Sequence, residues 1–429
     1  MPQAASLPFL RRCARLTQRA PVRSGARARG SPLAATDEPR SMGCSMRFAH
    51  ALSAAITAAV LGAPALAATP APLPAEHLTV AKLPPRTPHW IYVYDNAFAN
   101  EIDSRVYVYD GDAHRQLGQI DGGFYTSLIL SPDGATTALA STYFARGGHC
   151  ARTDVVEFVD NSTLEVKHEI VLPPKHAMTS PTQINVSYSS DQRFLYVAYI
   201  TPAASFGVLD PAAGKILGEI DTAGCVLVIP SGTNRVSSIC ESGRLLTVTL
   251  DAQGKEASRT MSQPFFDPDK DPVFVQAIPT PRGYTFLSFL GEVHEVDFTG
   301  PEPVFARPWS LVTAEEKGKW RTGGMQPGAI HRSLNRLYVP MHVGGEGSHK
   351  DGGTEIWVFD MATHQRLARW PVDKHGLKPA LAVQVSQDAA PLVFAATQDA
   401  KLAIYDGRSG ALKHVEKQMG QTPWMILNP

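Results

Sequence analysis

The chain lacks any bias of charge. Its 40 Lys and Arg are matched by 40 Asp and Glu in 429 residues, for a formal net charge of +0. A balanced surface excludes the basic footprint expected of a nucleic-acid or membrane-surface binder. Convincing helical periodicity is nearly absent, which argues against bundles and α/β folds. The motifs of common catalytic folds are also missing. There is no Gly-x4-Gly-Lys-Ser/Thr phosphate loop, no Gly-x-Ser-x-Gly elbow and no Cys-x-x-Cys-His haem attachment. Cysteine is scarce: of five, Cys13 and Cys44 lie in the N-terminal region, leaving Cys150, Cys225 and Cys240. His149-Cys150, and His342 with His349, are the nearest approach to a metal motif, and neither has a spacing that closes a site. They are read as surface or loop residues.

The N-terminus reads as targeting sequence. Met46–Ala68 has a short basic start, an apolar stretch from Ala51 to Leu66 and small residues at Ala65 and Ala67. That is a secretory signal peptide; the apolar stretch is too short for a membrane span. Residues 1–45 hold seven arginines from Arg11 to Arg29 and no acid before Asp37. They read as an extension upstream of the true start, with an organellar transit peptide as the alternative. Residues 69–85, proline-rich at Pro70–Pro74, form a linker, and 86–429 the folded domain. Export places the mature chain in an oxidising compartment, where a cysteine pair is expected. Cys225 and Cys240 lie close together on two apparent strands and are the pair expected; the alternative is three buried thiols.

Glycine and proline, 34 of each, cut the chain into short strand-like runs rich in Val, Tyr, Ile, Leu and Phe. One marker recurs, a β-rich run that ends in aspartate. It occurs at Asp110, Asp160, Asp210, Asp251, Asp297, Asp360 and Asp406, with separations by subtraction of 50, 50, 41, 46, 63 and 46 residues. A second marker, an apolar strand running into a polar turn, precedes the first in examples such as Leu128–Gly134, Val186–Asp191 and Val383–Asp388. Two further strands complete each unit. The pattern predicts an all-β, seven-bladed β-propeller with four-stranded antiparallel blades. The first unit, which opens at Trp90–Tyr94, looks one strand short, and Trp424–Leu427 is one strand too many. Joining them would close the ring and leave no large sheet edge exposed. The seven aspartates are read as turn residues that accept backbone N–H groups, not as paired catalytic acids.

Two segments break the rhythm. Phe144–Asp154 reads as a long basic loop. The 63-residue interval holds Pro308–Leu311, a short helix expected around Thr313–Gly318, and Lys319–Gln326, with a further loop at His342–Lys350. Tryptophan and arginine flanked by glycine suit a protein interface; the alternative is a loop that only covers the core.

These stretches carry a resemblance. Ile120-Asp-Gly-Gly-Phe124, Arg152–Phe158, the Cys225/Cys240 pair, Pro308-Trp-Ser-Leu311, Trp320-Arg-Thr-Gly-Gly324 and Gly347-Ser-His-Lys350 resemble, in order, the heavy subunit of bacterial quinoprotein amine dehydrogenases of the methylamine and aromatic amine types. The resemblance implies a periplasmic complex of two heavy and two light subunits. The cofactor would be tryptophan tryptophylquinone, built from two tryptophans of the light subunit and not of this chain. Primary amines would be oxidised there to aldehyde and ammonia, with electrons passing to a blue-copper protein such as amicyanin or azurin. No catalytic or metal-binding residue is then expected in this chain. Phe124 would narrow the substrate channel, and Trp309, Trp320, Arg321, Gly323 and Gly324 would face the light subunit. Gly122-Gly123-Phe124 resembles the methylamine type, whereas Pro173-Pro174-Lys175, Pro308-Trp309-Ser310-Leu311 and Met341–Lys350 resemble the aromatic type. The readings that compete are a stand-alone propeller hydrolase of lactonase type and a binding propeller with no enzyme attached.

Overall fold

The structure, a computed structural model, describes residues 81–179 and 181–428. The extension and signal peptide expected over 1–68 lie outside the described residues. The first blade is opened by β1 (Trp90–Asp95), β2 (Arg105–Asp110) and β3 (Arg115–Asp121), and the next is formed by β4 (Phe124–Leu130), β5 (Thr136–Arg146), β6 (His149–Asp160) and β7 (Val166–Leu172). Five more antiparallel sheets follow in chain order, giving seven blades.

Ring closure follows the expected route. The strand Pro423–Leu427 pairs antiparallel with β1 on its channel side, so the first sheet takes its innermost strand from the C-terminus. That strand is held from across the channel as well. The side-chain amides of Gln183, Gln326 and Gln384 donate to the Ile426 carbonyl at 3.4, 3.0 and 3.1 Å, and Gln326 Oε1 accepts from Ile426 N at 2.6 Å. A cavity of about 230 Å³ lies beside these amides in the channel. At the other end Leu83 packs on the first two blades and donates its N–H to Ser162 O at 2.7 Å.

The turn chemistry recurs as expected. Asp110, Asp160, Asp210, Asp251, Asp297, Asp360 and Asp406 each accept at least one backbone N–H from the turn that follows, at 2.7–3.1 Å. The second marker is a serine–aspartate turn. Ser131 donates to Asp133, Ser189 to Asp191 and Ser386 to Asp388. The same serine oxygens then accept from the next strand at Thr136 N, Phe194 N and Leu392 N. Each turn therefore satisfies its own polar groups within a few residues, which a chain of short hairpins requires.

Apolar side chains fill the gaps between blades. Trp90, Tyr92, Tyr94 and Val106 of the first blade pack with Leu128, Leu139 and Val159 of the second. The Cys225–Cys240 disulfide forms between residues that are register partners on adjacent strands, with Cα atoms 3.9 Å apart.

Two local expectations are corrected. Phe144–Asp154 is not a long loop: β5 and β6 stay paired as far as Arg146 and His149, so only Gly147-Gly148 forms the tip. Exposed and half-buried residues alternate along β6 from His149 to Thr153, and Gly147 supplies the positive φ of 60° at the hairpin's end. Thr313–Gly318 is not a helix but a run of turns, in which Glu316 and Lys317 donate to Thr313 O and Glu316 Oε2 caps Thr313 N. Gly318, with φ 79°, stops the segment after little more than one turn, and Arg366 donates to Glu316 at 2.8 Å. The 63-residue interval is absorbed by splitting strands. Val304–Phe305 and Trp309–Ser310 both pair with Glu292–Asp297, while Trp320–Thr322 and Ala329–His331 both pair with Arg336–Val343.

Candidate functional site

Strand direction alternates across each blade. The crossings between blades therefore share one face with the turns that join second and third strands. This upper face carries Gly122-Gly123, the β5–β6 tip and the segments 96–104, 173–185, 262–277, 306–328 and 344–354. The aspartate turns lie on the opposite face. Phe124 and the 306–328 segment thus share an end of the channel, although about 200 residues separate them in the chain.

Phe124 stands where the crossing from β3 enters β4. Gly122 and Gly123 are buried because no side chain fits. A Cβ at Gly122 would come within 2.6 Å of Thr126 Oγ1, and one at Gly123 within 2.5 Å of Thr142 O. Phe124 pairs with Thr142, after which the register slips before Ser127. Tyr125 occupies this bulge with φ 47°, a left-handed conformation rare for an aromatic residue. The slip lets consecutive rings stand on the same side. The Phe124 ring lies 4.8 Å from Tyr125 and 5.9 Å from Phe144, both edge-on. All three rings are half-buried. The Tyr125 hydroxyl donates to Glu101 Oε1 at 3.2 Å. Burial and the Glu101 carboxylate push the Tyr125 pKa up, so the hydroxyl keeps its proton as donor.

A buried ionic cluster sits directly behind this bulge. Asp154 is fully buried. It accepts Arg152 Nε and Nη2 at 2.7 Å each, Thr142 Oγ1 at 2.9 Å and the His176 backbone N–H at 2.8 Å. Arg152 also donates to His176 O at 3.1 Å. The planar guanidinium meets both carboxylate oxygens, the geometry that best offsets desolvation. Asp154 thereby ties β5, β6 and the 173–185 crossing together beneath Phe124. Burial drives the His176 pKa well below the usual imidazole value; Asp154 opposes that shift and Arg152 adds to it.

The other expected residues are drawn into the chain's own packing. Trp309 stacks on His364 at 4.5 Å and donates Nε1 to Glu295. Trp320 lies 5.0 Å from Trp357, with Arg369 over both rings at 4.5 and 4.8 Å. Glu355 takes a bidentate bond from Arg369. Arg321 donates to Gly344 O, which ties the 306–328 segment to the 344–354 turn. Gly323 and Gly324 are buried: a Cβ on Gly323 would overlap the Asp351 carbonyl and one on Gly324 the Leu381 carbonyl. Beside them His349 stacks on Phe289 at 4.0 Å, and burial lowers the pKa of both His342 and His349. Leu290 beside this stack is exposed, as are Val275 and Val343 on the same face, Val343 to 66%.

Sequence reasoning named Phe124 but not its structural neighbours Glu101, Tyr125 and the Asp154 cluster. The Arg152-Thr-Asp154 spacing does place both side chains on one face of β6, a signal that could have suggested the ion pair. No pattern in the sequence brings Glu101 to Tyr125. Among the described residues no three His, Cys, Asp or Glu side chains converge on a cation site, and no helix is long and apolar enough to cross a membrane.

Comparison with known proteins agrees with this architecture. The chain is 28% identical to the methylamine dehydrogenase heavy chain of Methylorubrum extorquens over 385 residues, covering 88% of this chain and 92% of that one. It is 26% identical to the heavy chain from Methylophilus methylotrophus, covering 82% and 86%. Among solved structures, the dihydro-heme d1 dehydrogenase NirN superposes with a TM-score of 0.52 at 16% identity, covering 82% of this chain and 77% of that one, a likeness of fold alone. A family model describing the methylamine dehydrogenase heavy chain matches residues 88–428, and the chain belongs to that family.

Proposed function

We propose that this chain is the heavy subunit of a periplasmic amine dehydrogenase that oxidises primary amines to aldehyde and ammonia. The observation that carries the proposal is the family match across the whole propeller, joined to the presentation of Phe124 on the upper face. The quinone belongs to a separate light subunit, as tryptophan tryptophylquinone, and when assembled it supplies the two-electron oxidation of the amine. A blue-copper protein such as amicyanin or azurin then takes the electrons. The complex contains two heavy and two light subunits.

This chain's part is to bind, shape and exclude. The upper face offers what a partner needs. Leu290 and Arg321 line a hollow together with Phe289 and His349, and Val275 and Val343 are exposed on the same face. Such an apolar patch with aromatic and arginine side chains suits a stable protein contact. Gly323 and Gly324 serve it indirectly, because they let the 306–328 segment lie flat against the 344–354 turn. Phe124, half-exposed on the same face, walls the approach to the quinone. Its ring limits the width of the amine that can pass, by contact rather than by chemistry. Phe124 with its preceding glycine pair favours small aliphatic amines over aromatic ones.

Co-expression with the candidate light subunit tests the proposal. The expected result is a purified complex with quinone absorbance that reduces a dye only when a primary amine is present. A complex that forms without either property overturns it.

A further inference from the structure

The half-exposed rings on the upper face have a charged neighbour that the channel wall does not require. Glu101 belongs to the 96–104 turn of the first blade, whereas Phe124, Tyr125 and Phe144 belong to the second. The turn is held firmly. Phe98 packs edge-on to Trp424 at 4.8 Å, Ser104 Oγ donates to Gly123 O at 2.7 Å, and Gly122 N donates to Ser104 O at 2.7 Å. Ile102 reaches across to the Gly147-Gly148 tip. Glu101 is itself only half-buried, and its one hydrogen bond here comes from Tyr125. Among the described residues it forms no ion pair, unlike Asp103, which is tied to Arg105, and Asp154, which is tied to Arg152. The remaining basic groups of the neighbourhood, Arg146 and His149, stand exposed at the hairpin tip.

A primary alkylamine is a cation at neutral pH. The chemistry that recognises such a cation is a carboxylate beside aromatic faces, whose negative π-surfaces attract ammonium. Phe124, Tyr125, Phe144 and Glu101 supply that combination in one place. The bulge at Tyr125 is what makes it possible, since in regular β pairing Phe124 and Tyr125 would point to opposite faces. Backbone in an unfavourable region persists where the surroundings enforce it, as the two glycines and Ser104 do here.

We propose that Glu101, aimed by the Tyr125 hydroxyl and backed by the Phe124 and Phe144 rings, recognises the ammonium group of the incoming substrate. The inference rests on the amine dehydrogenase function proposed above and adds a residue that sets affinity rather than size. Glu101 is a recognition residue, not a catalytic one: it gathers the cation at the rim before the amine reaches the quinone.

The test is steady-state kinetics of the assembled complex with Glu101→Gln and Tyr125→Phe, using methylamine and a longer alkylamine. Glu101→Gln is expected to raise KM by about three- to tenfold for both amines at unchanged kcat, the size of one partly exposed charge contact. Tyr125→Phe should act in the same direction and more weakly. Raising ionic strength should raise the KM of the native complex and have less effect on Glu101→Gln. A KM within about twofold of native at low salt overturns the inference while leaving the function intact. Loss of subunit assembly with unchanged KM in the residual complex also overturns it and assigns Glu101 to the subunit interface. A native complex that oxidises no amine defeats the underlying function instead, and is seen before any variant is made.

Discussion

Replacing Asp154 with alanine is the sharpest probe of how the channel wall is supported. The carboxylate is fully buried and accepts four hydrogen bonds, from Arg152 twice, Thr142 and the His176 backbone. Its removal leaves the Arg152 guanidinium without a counter-charge and three elements without their common acceptor. Breaking one side of a buried pair costs about 3–5 kcal/mol. Arg152 retains 18% of its side-chain surface, so water relieves part of that cost and the lower end, about 3 kcal/mol, is expected. Against a typical total stability of about 5–15 kcal/mol this is a large fraction. Urea unfolding of the whole heavy chain, followed by tryptophan fluorescence, reads it as a lowered midpoint at unchanged slope. The paired variant Arg152→Met with Asp154→Leu removes both charges, and should be less destabilised than Asp154→Ala alone. A loss below about 1 kcal/mol for Asp154→Ala would refute the reasoning, as would a paired variant worse than the single one.

Phe124→Ala should raise the rate with bulky amines relative to methylamine in the assembled enzyme; unchanged relative rates would remove Phe124 from the channel wall. Replacing Cys225 and Cys240 together with serine should lower stability by about 3 kcal/mol, measured by denaturant unfolding under non-reducing conditions, because the bridge restricts the unfolded chain over a loop of this size. His176 gives stability a pH dependence. Its folded pKa is depressed, so the unfolded chain takes up a proton that the folded one refuses, and the contribution is full above about pH 6.5 and is lost as pH falls below it. The expected slope is about 1.4 kcal/mol per pH unit for this one proton, and His176→Asn should show a shallower slope over the same range.

The sequence by itself determined the propeller, because a propeller is built from local pairings. Each blade is a meander of hairpins, and the aspartate and serine turns satisfy their own backbone within a few residues of the chain, so the repeat is written at short range. Closure by Trp424–Leu427 was legible for the same reason, as an incomplete unit at one end and a spare strand at the other. The pairing of Cys225 with Cys240 lay within one hairpin. Interruptions of the repeat were harder. Phe144–Asp154 looks like a loop by its glycines and charges, yet the ladder between β5 and β6 carries it to the tip, and the helix expected at Thr313–Gly318 stops after little more than one turn at the left-handed Gly318. What decides the candidate site comes from different blades. Glu101 meets Tyr125 only because a register slip turns Tyr125 toward the neighbouring blade, and His176 meets Asp154 only because the 173–185 crossing folds back across β6. Side-chain geometry of this kind depends on blade-to-blade packing and on a single bulge, and neither leaves a periodic trace in the chain.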